Sequence, residues 1–95
     1  MRIRFTATAL AEIEEILTYI SAHDPSASIR VAEAIRQSIA WINTRPEASP
    51  IVYSSNVRAK LVGRFQYRVY YEIEGDNLII RNVRSTRQQR PREES

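Results

Sequence analysis

Apolar residues in the first half of the chain recur at helical spacing. Leu10, Ile13, Ile16, Leu17 and Ile20 fall on one side of a helix predicted to run from a Thr6 cap to about Ile20. A second stripe, Val31, Ile35, Ile39 and Ile42, with Ala34, Ser38 and Trp41 along one margin, predicts a helix ending near Asn43. Asp24 followed by Pro25 suits an N-cap and a first helical position, where proline's missing N–H costs nothing. Ser21-Ala22-His23 is then the turn of an αα-hairpin. The arc of the second helix is wide enough to touch two neighbours, the first helix and a sheet.

Elsewhere the period is two, as strands require. Arg2-Ile3-Arg4-Phe5 reads as a short opening strand. Val57, Ala59 and Leu61 share one strand face, with Arg58 and Lys60 on the other; Phe65, Tyr67, Val69, Tyr71 and Ile73 oppose Gln66, Arg68, Tyr70 and Glu72. A three-residue loop, Val62-Gly63-Arg64, would set Leu61 across from Phe65 and Arg58 across from Arg68. Thr44 to Pro50 is a Pro-rich connection into the sheet, and Glu74-Gly75-Asp76-Asn77 closes the last hairpin. Because a helical hairpin returns the chain to where it left, the opening strand is expected to run antiparallel to the strand at Val57. The predicted fold is α+β: an N-terminal strand and an αα-hairpin packed on one face of an antiparallel four-stranded sheet, within one domain over residues 1–88. The polar tail 89–95 has no apolar anchor and is expected to fray.

Composition narrows the function. A chain of 95 residues is one small domain, burying only about two-thirds of its unfolded surface. It has no cysteine, which excludes a disulfide scaffold and thiolate metal sites and suits a reducing cytoplasm. The N-terminus lacks a signal-peptide core, and no apolar run is long enough to span a membrane, so a soluble cytoplasmic protein is expected. The single histidine, His23, lies in the inter-helix turn, and no metal or cofactor is expected. Glu12, Glu14 and Glu15 are read as helix acids favoured by the dipole rather than as a catalytic cluster.

Charge is distributed unevenly. Residues 1–52 hold five Lys/Arg against six Asp/Glu, and residues 53–95 hold nine against five. Arginine dominates, which favours bidentate contact with phosphate or carboxylate. Opposed Arg58 and Arg68 would repel, with Lys60 beside them, and a surface that tolerates this is suited to an anionic partner.

These residues in this order resemble the RelE/ParE superfamily of toxins from type II toxin-antitoxin modules. The resemblance rests on Ala9-x-x-Glu12-Ile13-x-x-Ile16-x-x-Tyr19-Ile20, Asp24-Pro25 with Ala27, and Ile35 to Pro46. It continues in Tyr67-Arg68-Val69-x-Tyr71-x-Ile73, Gly75-Asp76 and Ile79-Ile80-Arg81-x-Val83-x-x-x-Arg87. The helical half is more similar to the ParE branch. That branch implies growth arrest and plasmid stabilisation through inhibition of DNA gyrase, and neutralisation by a ParD-like antitoxin in a hetero-oligomer. The RelE branch implies ribosome-dependent cleavage of messenger RNA, with Arg58, Lys60, Arg68 and Arg87 at the cationic catalytic positions. Its C-terminal Tyr or His acid has no counterpart between Gln88 and Ser95, Tyr70 being the only nearby substitute. A third reading is a non-toxic module that only binds an antitoxin. On any of these, the expected basic face is Arg58, Lys60, Arg68, Arg81, Arg84 and Arg87, with Tyr19 and Trp41 as candidate apolar contacts for the antitoxin; direct nucleic-acid binding stays open.

Overall fold

A computed structural model describes residues 1–53 and 56–87; the tail expected to fray lies outside them. Both helices begin at the caps the sequence supplies. β1 (Arg2–Phe5) leads into α1 (Ala7–Ser21), whose first turn is closed by Thr6 Oγ1 accepting from Ala9 N at 3.0 Å. α2 (Pro25–Thr44) opens on Asp24, whose Oδ1 accepts from Ala27 N at 3.1 Å. The sheet is completed by β2 (Ile51–Tyr53), β3 (Val57–Leu61), β4 (Tyr67–Glu74) and β5 (Asn77–Ser85). Between β4 and β5 the turn is made by Gly75 and Asp76, and Gly75 has φ +60°, a backbone setting that side-chain-bearing residues rarely adopt.

The αα-hairpin packs on one sheet face, α1 over β5 and α2 across β3 and β4. Val31, Ile35, Ile39 and Ile42 of α2 are buried against Val62, Val69, Tyr71, Leu78, Ile80 and Val83. From α1, Ala9 is fully buried, and Ile13, Ile16, Leu17 and Ile20 pack partly against this core. Leu10, expected in the stripe, is exposed instead. The rotation of α1 is set by Thr6, whose hydroxyl also donates to Arg81 O at 2.8 Å. That link turns small Ala9 toward the sheet and Leu10 away from it.

The sheet has five strands rather than four, in the order β1-β5-β4-β3-β2, and it is mixed rather than wholly antiparallel. β1 lies beside β5 and parallel to it, Ile3 facing Leu78 and Phe5 facing Ile80. It therefore runs in the same direction as β3, and the strand antiparallel to it after the helical hairpin is the short edge strand β2.

The meander register also differs from expectation. Leu61 faces Arg68, Ala59 faces Tyr70 and Arg58 faces Tyr71. The connection spans residues 62–66 rather than three residues, because Val62 is fully buried and bonded through its N–H to Tyr67 O. Relative to the predicted pairing of Leu61 with Phe65, β3 has slid three places. An odd slide exchanges its faces. Arg58 and Lys60 thus lie on the helix side of the sheet, while Val57 and Ala59 join Tyr70 in a second buried cluster on the far side.

β5 continues past the end of β1, and α1 covers the exposed edge. Glu12 Oε1 accepts from Val83 N at 2.9 Å and from Asn82 Nδ2 at 3.2 Å, and its Oε2 accepts from Arg84 Nη1 at 3.4 Å. Glu12 is beyond the first turn of α1, so the dipole explanation does not apply to it; it replaces a missing strand. Glu12→Ala strands the Val83 donor, and the expected loss is about 2 kcal/mol, within the cost of leaving buried groups unsatisfied. Urea melts of the two proteins check this, with Glu12→Gln, which keeps one acceptor oxygen, expected to fall between them.

Candidate functional site

The cations expected on one face are divided among separate locations. Arg58 is held against the α2–β2 connection, its Nη1 donating to Glu47 O at 3.1 Å and Ser49 O at 2.8 Å. The same connection receives the hydroxyl of fully buried Tyr71, which donates to Pro46 O at 2.8 Å. Lys60 reaches the margin of α2, with Nζ 4.8 Å from the Trp41 ring centroid and donating to Leu61 O at 2.9 Å. Arg45 Cζ lies 5.1 Å from the same centroid. Trp41 is partly buried against the main core, so it both packs and carries two cation–π contacts.

Arg68 points to the far face, as alternation from buried Val69 requires, and sits directly across from Arg84. The repelling cross-strand pair is therefore Arg68 with Arg84, not Arg58 with Arg68. Arg84 is compensated by Glu12 at 3.4 Å. Arg81 pairs with Glu72 at 2.5 Å, and Glu72 also accepts from Asn56 Nδ2 at 2.9 Å. Arg81 is the extra residue of a β-bulge, since Tyr70 faces Asn82 while Tyr71 faces Ile80. The bulge keeps Ile80 and Val83 on the helix side although three positions separate them.

Arg87 and Tyr19 meet around a groove of about 650 Å³ between α1 and the end of β5. Its walls include Ile16, Tyr67 and Val83, with Glu12 and Arg84 at one side. Tyr19 is 71% exposed and its ring centroid is 5.3 Å from that of His23. Of the residues singled out from sequence, the groove gathers Tyr19, Arg84 and Arg87. Arg58, Lys60 and Trp41 do not line it. Tyr67, Glu15 and Gln66 line it without having been anticipated, and Gln66 carries a visible signal only in hindsight: its carbonyl accepts from Thr86 N at 2.9 Å, folding the β3–β4 connection onto the end of β5.

Four cations at catalytic positions would need to converge on one phosphate to stabilise its charge. Here Arg58 and Lys60 are on the helix side, Arg68 is on the other face, and Arg87 follows the end of β5. On the outer surface of α2, the Arg36 guanidinium hydrogen-bonds Glu33 and holds its carboxyl below the usual range; the pair is exposed and remote from the groove. Among the described residues no group of three or more His, Cys, Asp or Glu could hold a metal ion, and no helix is long and apolar enough to cross a membrane.

Residues 3–90 match the family model described as the ParE toxin of the type II toxin-antitoxin system parDE. The fold is similar to a solved chain of a chromosomal ParDE TA system from P. aeruginosa, with a TM-score of 0.79 at 15% identity, covering 90% of this chain and 95% of that one. No curated protein sequence matches.

The two arginines differ in what their removal does. Arg58→Gln is expected to destabilise the domain by about 1 kcal/mol, as loss of charge-assisted bonds to two carbonyls does. Arg68→Gln relieves repulsion from Arg84 and is expected to leave stability unchanged or raised by a few tenths of a kcal/mol. Parallel denaturant melts separate them; equal behaviour would mean that the surroundings of the two guanidinium groups are energetically alike.

Proposed function

The chain belongs to the ParE toxin family of type II toxin-antitoxin systems, and from that membership we propose that it arrests growth by poisoning DNA gyrase and is neutralised by a ParD-like antitoxin. The observation that carries this reading over RNA cleavage is the separation of Arg58, Lys60, Arg68 and Arg87. Arg58 already serves two main-chain carbonyls, and Lys60 and Arg68 project from opposite faces of neighbouring strands. With no Tyr or His from Gln88 to Ser95 to protonate a leaving group, general acid–base chemistry lacks its acid. The toxin acts by binding, and it is cytoplasmic, as its target requires.

The antitoxin contact proposed here is the groove beside Tyr19. Its walls combine apolar Ile16, Tyr67 and Val83 with charges of both signs, Arg84 and Arg87 beside Glu12 and Glu15, a surface that suits an amphipathic helix laid in by its apolar face with mixed charges along its margins. Trp41 is a weaker candidate, since it packs against the core. The basic residues outside the groove contribute to long-range attraction of an acidic segment rather than to one binding pocket.

Purified chain added to gyrase, supercoiled plasmid and ATP is expected to yield linear DNA, and expression without antitoxin is expected to stop DNA synthesis before protein synthesis. Cleavage of ribosome-bound messenger RNA with gyrase unaffected would overturn the proposal in favour of the RNA-cleaving branch. Growth without arrest, coupled to antitoxin binding, would leave the binding module. Tyr19→Ala, at a side chain that hardly supports the core, is expected to weaken antitoxin binding at least tenfold with thermal stability unchanged; truncation of an aromatic anchor commonly has an effect of this size.

A further inference from the structure

β1 forms one edge of the sheet, and its four residues are all exposed. Arg2 N donates to Asp76 O and Thr6 N to Ile80 O, both at 3.0 Å, so the even-numbered residues turn their main-chain groups toward β5. By alternation, the N–H and C=O of Ile3 and Phe5 point to the open side. Their side chains share a face with Leu78 and Ile80, which the register places beside them and the helices bury completely. Yet Ile3 and Phe5 remain 39% and 40% exposed, and Met1, two places before Ile3 in the same alternation, is 42% exposed. The apolar layer under the hairpin thus extends one strand beyond the helices that cover it.

Arg2 and Arg4 occupy the other face of β1. Among the described residues, neither guanidinium has an ion-pair or hydrogen-bond partner. Charged residues on an edge commonly serve to repel other strands. Here that role is selective. A second copy pairing antiparallel through β1, with Ile3 facing Ile3, sets Arg2 against Arg4 twice; with Ile3 facing Phe5, it sets Arg4 against Arg4. Like charges directly opposed are destabilising. The same arginines favour a strand carrying carboxylates at alternate positions, whose remaining side chains would cover Ile3 and Phe5.

We propose that the open edge of β1 receives an added strand of alternating acidic and apolar residues from the antitoxin. This rests on the toxin reading above and deepens it: neutralisation has a second site, beside the first half of β5 where the groove lies at its last residues, and there main-chain pairing supplies affinity while Arg2 and Arg4 supply selectivity.

The test uses the full chain, alone and bound to the purified antitoxin encoded beside it. Amide hydrogen exchange is expected to be fast at Ile3 and Phe5 in the free chain and strongly slowed in the complex, while Arg4, bonded within the sheet, is protected in both. Arg2→Glu/Arg4→Glu is expected to weaken binding by about tenfold or more, most at low salt, where opposed charges act furthest, with protection of Leu78 and Ile80 unchanged as evidence that the fold is intact. Fast exchange at Ile3 and Phe5 in the complex overturns the proposal, as does unchanged affinity of the doubly reversed variant. Protection that instead arises in the free chain with its concentration assigns the edge to a second copy and also overturns it. An antitoxin that fails to bind the unaltered chain refutes the toxin reading itself.

Discussion

The arrangement of the domain depends on how α1 finishes a sheet edge that β1 leaves incomplete. β1 accompanies β5 only as far as Ile80. At that point Thr6 both caps α1 and donates to Arg81 O, and nearly two helical turns later Glu12 takes the donors of Asn82, Val83 and Arg84. A helix side chain substitutes for a strand. The substitution fixes both the position of α1 along β5 and its rotation, and these determine which residues reach the core. The bulge at Arg81 belongs to the same joint: it offsets the second half of β5 so that Val83 returns to the helix side and its N–H faces Glu12.

Local features of this fold are legible in the sequence because local chemistry decides them. Thr6, Asp24-Pro25 and Gly75-Asp76 mark the helix starts and the last hairpin, and the α2 stripe Val31, Ile35, Ile39, Ile42 is buried as its spacing requires. Pairing partners are another matter. Nothing within Arg2–Phe5 indicates β5 rather than β3 as its neighbour, since the energy that selects it comes from contacts more than seventy residues away. Alternation in Val57–Leu61 is plain, but each of its two faces meets a protein surface, so hydrophobicity cannot assign the sides. Arg58 and Lys60 look like solvent-facing residues on sequence grounds; one bonds to carbonyls under the sheet's end and the other rests on Trp41.

The site followed the same division. Individual residues such as Tyr19 and Arg87 were identifiable, whereas their convergence on one groove depends on how the β3–β4 connection folds against Thr86. A shared fold at 15% identity shows how little of such a surface the architecture dictates. The strands and helices set where side chains can go; the chemistry lies in the choice of side chain at each place.

The parallel pairing of the first strand with the last also constrains the order of events during synthesis. Thr6 and Arg81, seventy-five positions apart, must both be available before the joint can close. A ribosome delivers Thr6 first and Arg81 only after seventy-five further positions. The helical hairpin can form early from local contacts, but α1 cannot acquire its final rotation, nor β1 a neighbour, until β5 has emerged. Closing so long a loop is slow relative to helix formation. The nascent chain therefore stays without its finished sheet until β5 has been made, however early its helices form.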